Sequence, residues 1–238
     1  MANTIKGLAS IKANQKAQQE RAENANRPKA EWFKFPKGVT SVEVRFLQEL
    51  DEDMQNYRED RGVGFIAVEH NAPGNDGWKR RGLCTSDGED SPCYACARHR
   101  EDYKAGWRQK QNLYINVLVK TGDNEYKTMI LTRNANSGFA QALIEEAVDE
   151  STITAVNYRI TKTGEGTTTQ WLLKPLKTEP FDDSNAEVFD LDKTAVREVE
   201  YDKHAAYYGE VFDDGSASAA APSSAQAAPS AASQDDEW

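Results

Sequence analysis

Residues 29–178 predict a mainly β fold, a small and partly open barrel. Three observations carry the prediction: apolar residues recur at every second position in several short segments, turn signals separate those segments, and one helical stretch interrupts them. In VTSVEVRFL, Val42, Val44 and Phe46 face one way and Glu43 and Arg45 the other, the pattern of a half-buried strand. FIAVEH (65–70) is a second strand. NLYINVLVK is the clearest: Leu113, Ile115, Val117 and Val119 form an inward face opposite Tyr114, Asn116, Leu118 and Lys120. EYKTMIL follows across Gly122-Asp123-Asn124, a turn signal that makes a hairpin. SGFAQALIEEAV reads as a helix with Phe139, Leu143 and Ala147 on one side, and ITAVNYRITKTGEGTTTQWLLK as a last hairpin turning at Gly164-Glu165-Gly166. Five or six strands with a helix between the fourth and fifth suit a barrel of OB type.

The flanks differ from this core. Residues 1–28 read as a helical arm, with Ile5, Leu8 and Ile11 near helical spacing and Asn26-Arg27-Pro28 ending it. Residues 179–212 form an acidic extension with a helix expected around KTAVREVEYDKHAAYYGE. Residues 213–238 are rich in Ser, Ala and Pro, too poor in apolar surface to offset the entropy of ordering, and are expected to be disordered. The formal net charge of -10 belongs to this end: residues 1–26 balance at +2, 27–178 at zero and 179–238 at -12. A neutral core can still hold a basic groove. No apolar run reaches signal-peptide or membrane-spanning character, so the expectation is a soluble cytoplasmic protein with reduced thiols and no membrane partner.

All three cysteines fall within CTSDGEDSPCYAC (84–96). An odd number cannot pair off into disulfides, and a polar loop has no use for cysteine as a small core residue. Cys93 and Cys96 form a Cys-x-x-Cys that fills two corners of a tetrahedron from one tight turn, with Pro92 stiffening the approach. Cys84 supplies a third ligand across a polar loop. The fourth is a histidine, either His70 at the end of a predicted strand or His99 three residues after Cys96. His70 is preferred, because ligands from two separated knuckles close and order the loop between them. Four ligands with no open position make one structural zinc ion, in an insertion at about 70–106.

Cations and rings crowd the same region. GWKRRGLC places Trp78 before Lys79, Arg80 and Arg81, and RHREDYKAGWRQKQNLY supplies Tyr103, Trp107, Arg108, Lys110 and Tyr114 among others. A groove for single-stranded nucleic acid needs cations for phosphates and flat rings for exposed bases. Tyr114 and Lys120 fall on the non-core face of the clearest strand, where such a groove would lie; Lys127 on the paired strand joins the candidates. No phosphate-binding glycine loop and no convincing Ser/His/Asp set is evident, and His70 is followed by Asn71-Ala72 rather than the His-x-Glu of a zinc deaminase. The expectation is a binding protein without enzymatic activity. Its ligand would be single-stranded DNA, or alternatively single-stranded RNA in translational control, or another protein docked on a zinc-stabilised adaptor.

The succession EWFKF, VEVRFL, a strand ending in His70, Gly77-Trp78, Cys84, SPCYAC, YINVLVK and YRITKTGEG resembles the single-stranded-DNA-binding, helix-destabilising proteins of T-even-type bacteriophages. The likeness covers about residues 3–178 plus the tail. It implies an OB-fold with a zinc subdomain and, between them, a basic cleft for single-stranded DNA. Carried over by position, His70, Cys84, Cys93 and Cys96 would bind zinc, and Arg45, Trp78, Tyr103, Tyr114 and Lys120 would contact DNA. It also implies self-association through the N-terminal arm, recruitment of replication and recombination proteins by the acidic tail, and work in DNA replication, recombination and repair within the host cytoplasm. The chain departs from the pattern in four places, the first being a core that is neutral rather than basic. The arm lacks a dense basic cluster, Tyr94 sits inside the Cys-x-x-Cys instead of an aromatic just before it, and the terminal Asp235-Asp236-Glu237-Trp238 is closer to the acidic, aromatic-ended tail of bacterial single-strand-binding proteins.

Overall fold

The alternating segments become six strands, joined by a short seventh, β3, that they did not announce, in one antiparallel open sheet: β1 (Ser41–Phe46), β2 (Phe65–Asn71), β3 (Arg81–Leu83), β4 (Lys110–Gly122), β5 (Glu125–Asn134), β6 (Asn157–Thr163) and β7 (Gln170–Pro175). The computed structural model describes residues 30–74, 77–86 and 92–209, with Gly7, Leu8, Lys12, Gln15 and Gln18 as isolated positions. Apart from those positions, the expected arm lies outside the described residues, as do the tail and Asp235, Asp236, Glu237 and Trp238.

The strand order is β3-β2-β4-β1-β6-β7, and β5 lies along the other edge of β4. β4 can serve two neighbours on one edge because it is 13 residues long. Its first part pairs with β2 (Phe65↔Tyr114) and its later part with β1 (Val44↔Val119). Asn124, in the left-handed region at φ 60°, turns the chain from β4 into β5. The sheet curls until its outer strands meet. Arg133 of β5 lies 4.2 Å over the Trp171 ring of β7, and Phe33, whose N–H donates to Ile130 of β5, packs edge-on to the same ring at 5.4 Å. Helix α2 (Gly138–Glu150), N-capped by Ser137, fills the space between these strands with Phe139, Leu143 and Ala147. The inward face holds Val42, Val44 and Phe46 of β1 and Leu113, Ile115, Val117 and Val119 of β4, all buried as their alternation predicts. The helices α1 (Tyr94–Glu101), α3 (Leu191–Thr194) and α4 (Tyr201–Gly209) lie outside this barrel. No described helix is long and apolar enough to cross a membrane.

The acidic extension packs across the outer face of β4. Phe181 covers Leu47 and Leu118, while Leu191, Ala195 and Val196 cover Ala67, Tyr114 and Ile130. Between them Asn116 exchanges both hydrogen bonds with the backbone of Phe189, at 2.9 and 3.1 Å. The single helix expected over residues 193–210 is instead two, α3 and α4. The chain between them is drawn off to β3: the Arg197 carbonyl accepts from the Leu83 N–H at 2.8 Å, and the Ala195 carbonyl accepts from Arg81 at 3.2 Å.

Asp183 fastens this extension to the barrel. Its carboxylate pairs with Arg45 at 3.3 Å and with Arg61, whose side chain is only 4% exposed. Asp183→Asn leaves a buried guanidinium without its counter-charge, and the expected cost is about 3 kcal/mol, read as a lowered urea midpoint. An unchanged midpoint would mean that apolar burial alone holds the extension.

Candidate metal centre and adjoining cleft

The β2–β3 hairpin pairs His70 with Gly82, and Cys84, just past β3 and opposite Val68, lies two residues along on the same face of the hairpin as His70. Cys93 is the N-cap of α1 and Cys96 lies in its first turn. The helix therefore presents both sulfurs to the hairpin. The four donor atoms of His70, Cys84, Cys93 and Cys96 all lie within 4.8 Å of one another. Cys96 Sγ is 3.6 Å from Cys84 Sγ and 3.3 Å from His70 Nε2. Ligands at about 2.3 Å around a tetrahedral ion stand about 3.7 Å apart, so these separations suit a shared metal.

The histidine tautomer follows from its other nitrogen. His70 Nδ1 is 2.7 Å from the carbonyl oxygen of Trp107, which can only accept, so Nδ1 carries the proton and Nε2 keeps its lone pair toward the sulfurs. His99 is outside the cluster. Gln109 Nε2 donates to Cys84 Sγ at 3.2 Å and to Cys96 Sγ at 3.3 Å. Burial, together with the adjacent sulfurs of Cys84 and Cys93, pushes the Cys96 thiol up to about 12. Three sulfurs in so small a space cannot all ionise without a cation among them, and a metal ion would supply that charge. The His70/Cys84/Cys93/Cys96 cluster could hold a metal ion.

Aromatic residues brace the centre from outside. Tyr94 stacks on Tyr208 of α4 at 6.3 Å, and Trp107 meets both rings edge-on at 5.8 and 5.4 Å. Trp107 is thus half-buried packing for the metal loop.

Beside the centre opens a cleft of about 830 Å³, lined by His99, Arg100, Arg108 and Lys110 and by amides that include Asn134 and Asn136 at the end of β5. Arg100, Arg108 and Lys110 are exposed and have no ion-pair partner among the described residues. Tyr103, on the loop between α1 and β4, is 71% exposed, with the Lys104 ammonium 5.5 Å from its ring centroid.

The other candidates are dispersed. Tyr114, expected in an open groove, is fully buried beneath α3, and its hydroxyl donates to Glu69 at 2.6 Å. Arg45 is held by Asp183 and the carbonyls of Thr154 and Phe181. Arg80 donates to the Tyr207 carbonyl, Arg81 pairs with Glu69, and Lys127 pairs with Glu31. Lys120 is exposed in a separate groove with Lys34 and Arg159, about 33 Å along β4 from Lys110 at strand rise. Lys79 is exposed, and the Trp78 side chain lies outside the described residues. The structure therefore gathers Arg108 and Lys110 in one cleft, with Tyr103 on the loop that leads to it, and adds Arg100, Gln109, Asn134 and Asn136. No local pattern marks Gln109: it precedes β4 and is exposed like Arg108 and Lys110 on either side of it. No family model, no curated protein and no solved structure matches the chain.

Proposed function

We propose that this chain binds single-stranded DNA without sequence preference and without a chemical step, and that its metal is one structural zinc ion. The observation that carries the reading is the trio of unpaired cations, Arg100, Arg108 and Lys110, lining one cleft beside the metal centre. Most other arginines of the described surface are occupied by carboxylates or carbonyls, whereas these remain available for phosphates. The surrounding amides offer hydrogen bonds that any nucleotide satisfies, and exposed Tyr103 offers a ring for stacking. Three thiolates and an imidazole favour zinc, and four protein ligands leave no open position for catalysis.

The motif order shared with the helix-destabilising proteins of T-even-type phages supports a place for this activity in phage DNA replication, recombination and repair in the host cytoplasm. There the terminal Asp235–Trp238 segment would recruit partner proteins and the arm would promote self-association. Titration of the zinc-loaded protein with a poly-dT oligonucleotide, followed by tryptophan fluorescence across a salt series, tests the core of the reading. Saturable quenching that weakens with salt is expected. Replacing Arg108 and Lys110 together by Ala should lower the log–log salt slope by about 1.4, at about 0.7 per phosphate contact on a single strand. Absence of binding at low salt would overturn the reading, and a tighter complex with the matching RNA would replace DNA by RNA in it.

A further inference from the structure

The strip that leads into β4 touches both the metal centre and the cleft. Trp107 and Gln109 face the metal centre, the first through its carbonyl to His70 Nδ1 at 2.7 Å, the second through its amide to the sulfurs of Cys84 and Cys96 at 3.2 and 3.3 Å. Gln109 is exposed and lines the cleft together with its neighbours Arg108 and Lys110. The strip is thus tied to three of the four candidate ligands, and it carries two of the three unpaired cations.

We infer that Gln109 is a positioning residue that transmits metal occupancy to the cleft, its side-chain amide holding the Trp107–Lys110 strip against the metal-bound thiolates and so fixing Arg108 and Lys110. The functional meaning rests on reading the cleft as a nucleic-acid site; the contact between Gln109 and the sulfurs does not. A neutral amide suits the role. It donates to thiolates and withdraws charge from them, whereas a carboxylate at the same place would repel the sulfurs and compete for the ion. Gln111, which also lines the cleft, has no contact with sulfur and provides the control.

The experiment uses the full chain loaded with Co²⁺, comparing wild type, Gln109→Ala and Gln111→Ala. Loss of two N–H···S bonds leaves the sulfurs richer in charge, so the sulfur-to-cobalt absorption of Gln109→Ala should move to lower energy. Its affinity for Co²⁺ should fall about tenfold in chelator competition. With metal saturating, amide hydrogens of the 107–110 strip should exchange faster than in wild type, while Gln111→Ala matches wild type in all three readouts. An unchanged absorption band, or a shifted band with unchanged exchange in the strip, would overturn the inference. None of the three readouts uses nucleic acid, so failure of the wild-type protein to bind oligonucleotide overturns the proposed function alone.

Discussion

With the proposed zinc bound, its removal by a strong chelator is expected to melt the region from Ala72 to Trp107 while leaving the barrel folded. The two regions have separate cores. Among the described residues the buried apolar side chains around the metal centre are Ala72, Cys93, Ala95 and Tyr208, whereas the barrel interior is a continuous cluster running from Phe33 to Ile160. Helix α1 has eight residues, too short to persist on its own in water. Its residues YACARHRE also offer no apolar stripe to dock. Structural zinc sites of this kind supply about 10–16 kcal/mol at neutral pH, far more than burial of so few small side chains can return. Hydrogen exchange read residue by residue should show α1 and the Cys84 amide losing protection in the apo protein. Helix α4 should loosen with them, because Tyr208 packs on Tyr94 and Trp107. Protection along β1, β4 and β6 should persist. An apo protein with α1 still protected would show that side-chain packing orders the loop and that the clustering of sulfurs is incidental.

The same contrast separates what could be read in the chain from what could not. β1, β4, β5 and α2 were legible because burial of one face imposes a period on the residues themselves, and the ligand set was legible because tetrahedral thiolate sites restrict spacing. β3 was not. It is three residues long, and its partners are His70 on one side and the carbonyl of Arg197 on the other, a pairing no local pattern announces. Helix α1 was missed because its eight residues carry no apolar stripe to announce them. The outer face of β4 reads as an open surface because its polar atoms look solvent-directed in sequence. Tyr114 and Asn116 spend them instead on Glu69, Gln48 and the backbone of Phe189. Cations present the same ambiguity. Arg45, Arg81 and Arg108 are equivalent as letters, yet among the described residues only Arg108 of the three lacks a carboxylate partner.

Two tyrosine substitutions should therefore give opposite results. Tyr114→Ala removes a side chain with no exposure, packed against Trp32 and Phe65 and donating to buried Glu69. The cavity left behind should cost about 3–5 kcal/mol of stability, and Glu69 loses a donor as well. Burial already raises the Tyr114 hydroxyl above the ordinary tyrosine range, so it remains a neutral donor to Glu69 throughout the working pH range. The surviving folded fraction should bind oligonucleotide as wild type does. Tyr103→Ala, at a residue 71% exposed, should leave the urea midpoint within about 0.5 kcal/mol of wild type. If a base stacks on this ring, oligonucleotide affinity should fall by about 1–3 kcal/mol, roughly 5- to 150-fold. Chemical denaturation and the oligonucleotide titration, run on both variants, decide the matter. Were the effects reversed, with Tyr114→Ala weakening binding at constant stability, the extension would have to lift from β4 to admit DNA. The contacts of Asp183, Phe189 and Val196 would then be a closed state of the protein instead of its permanent core.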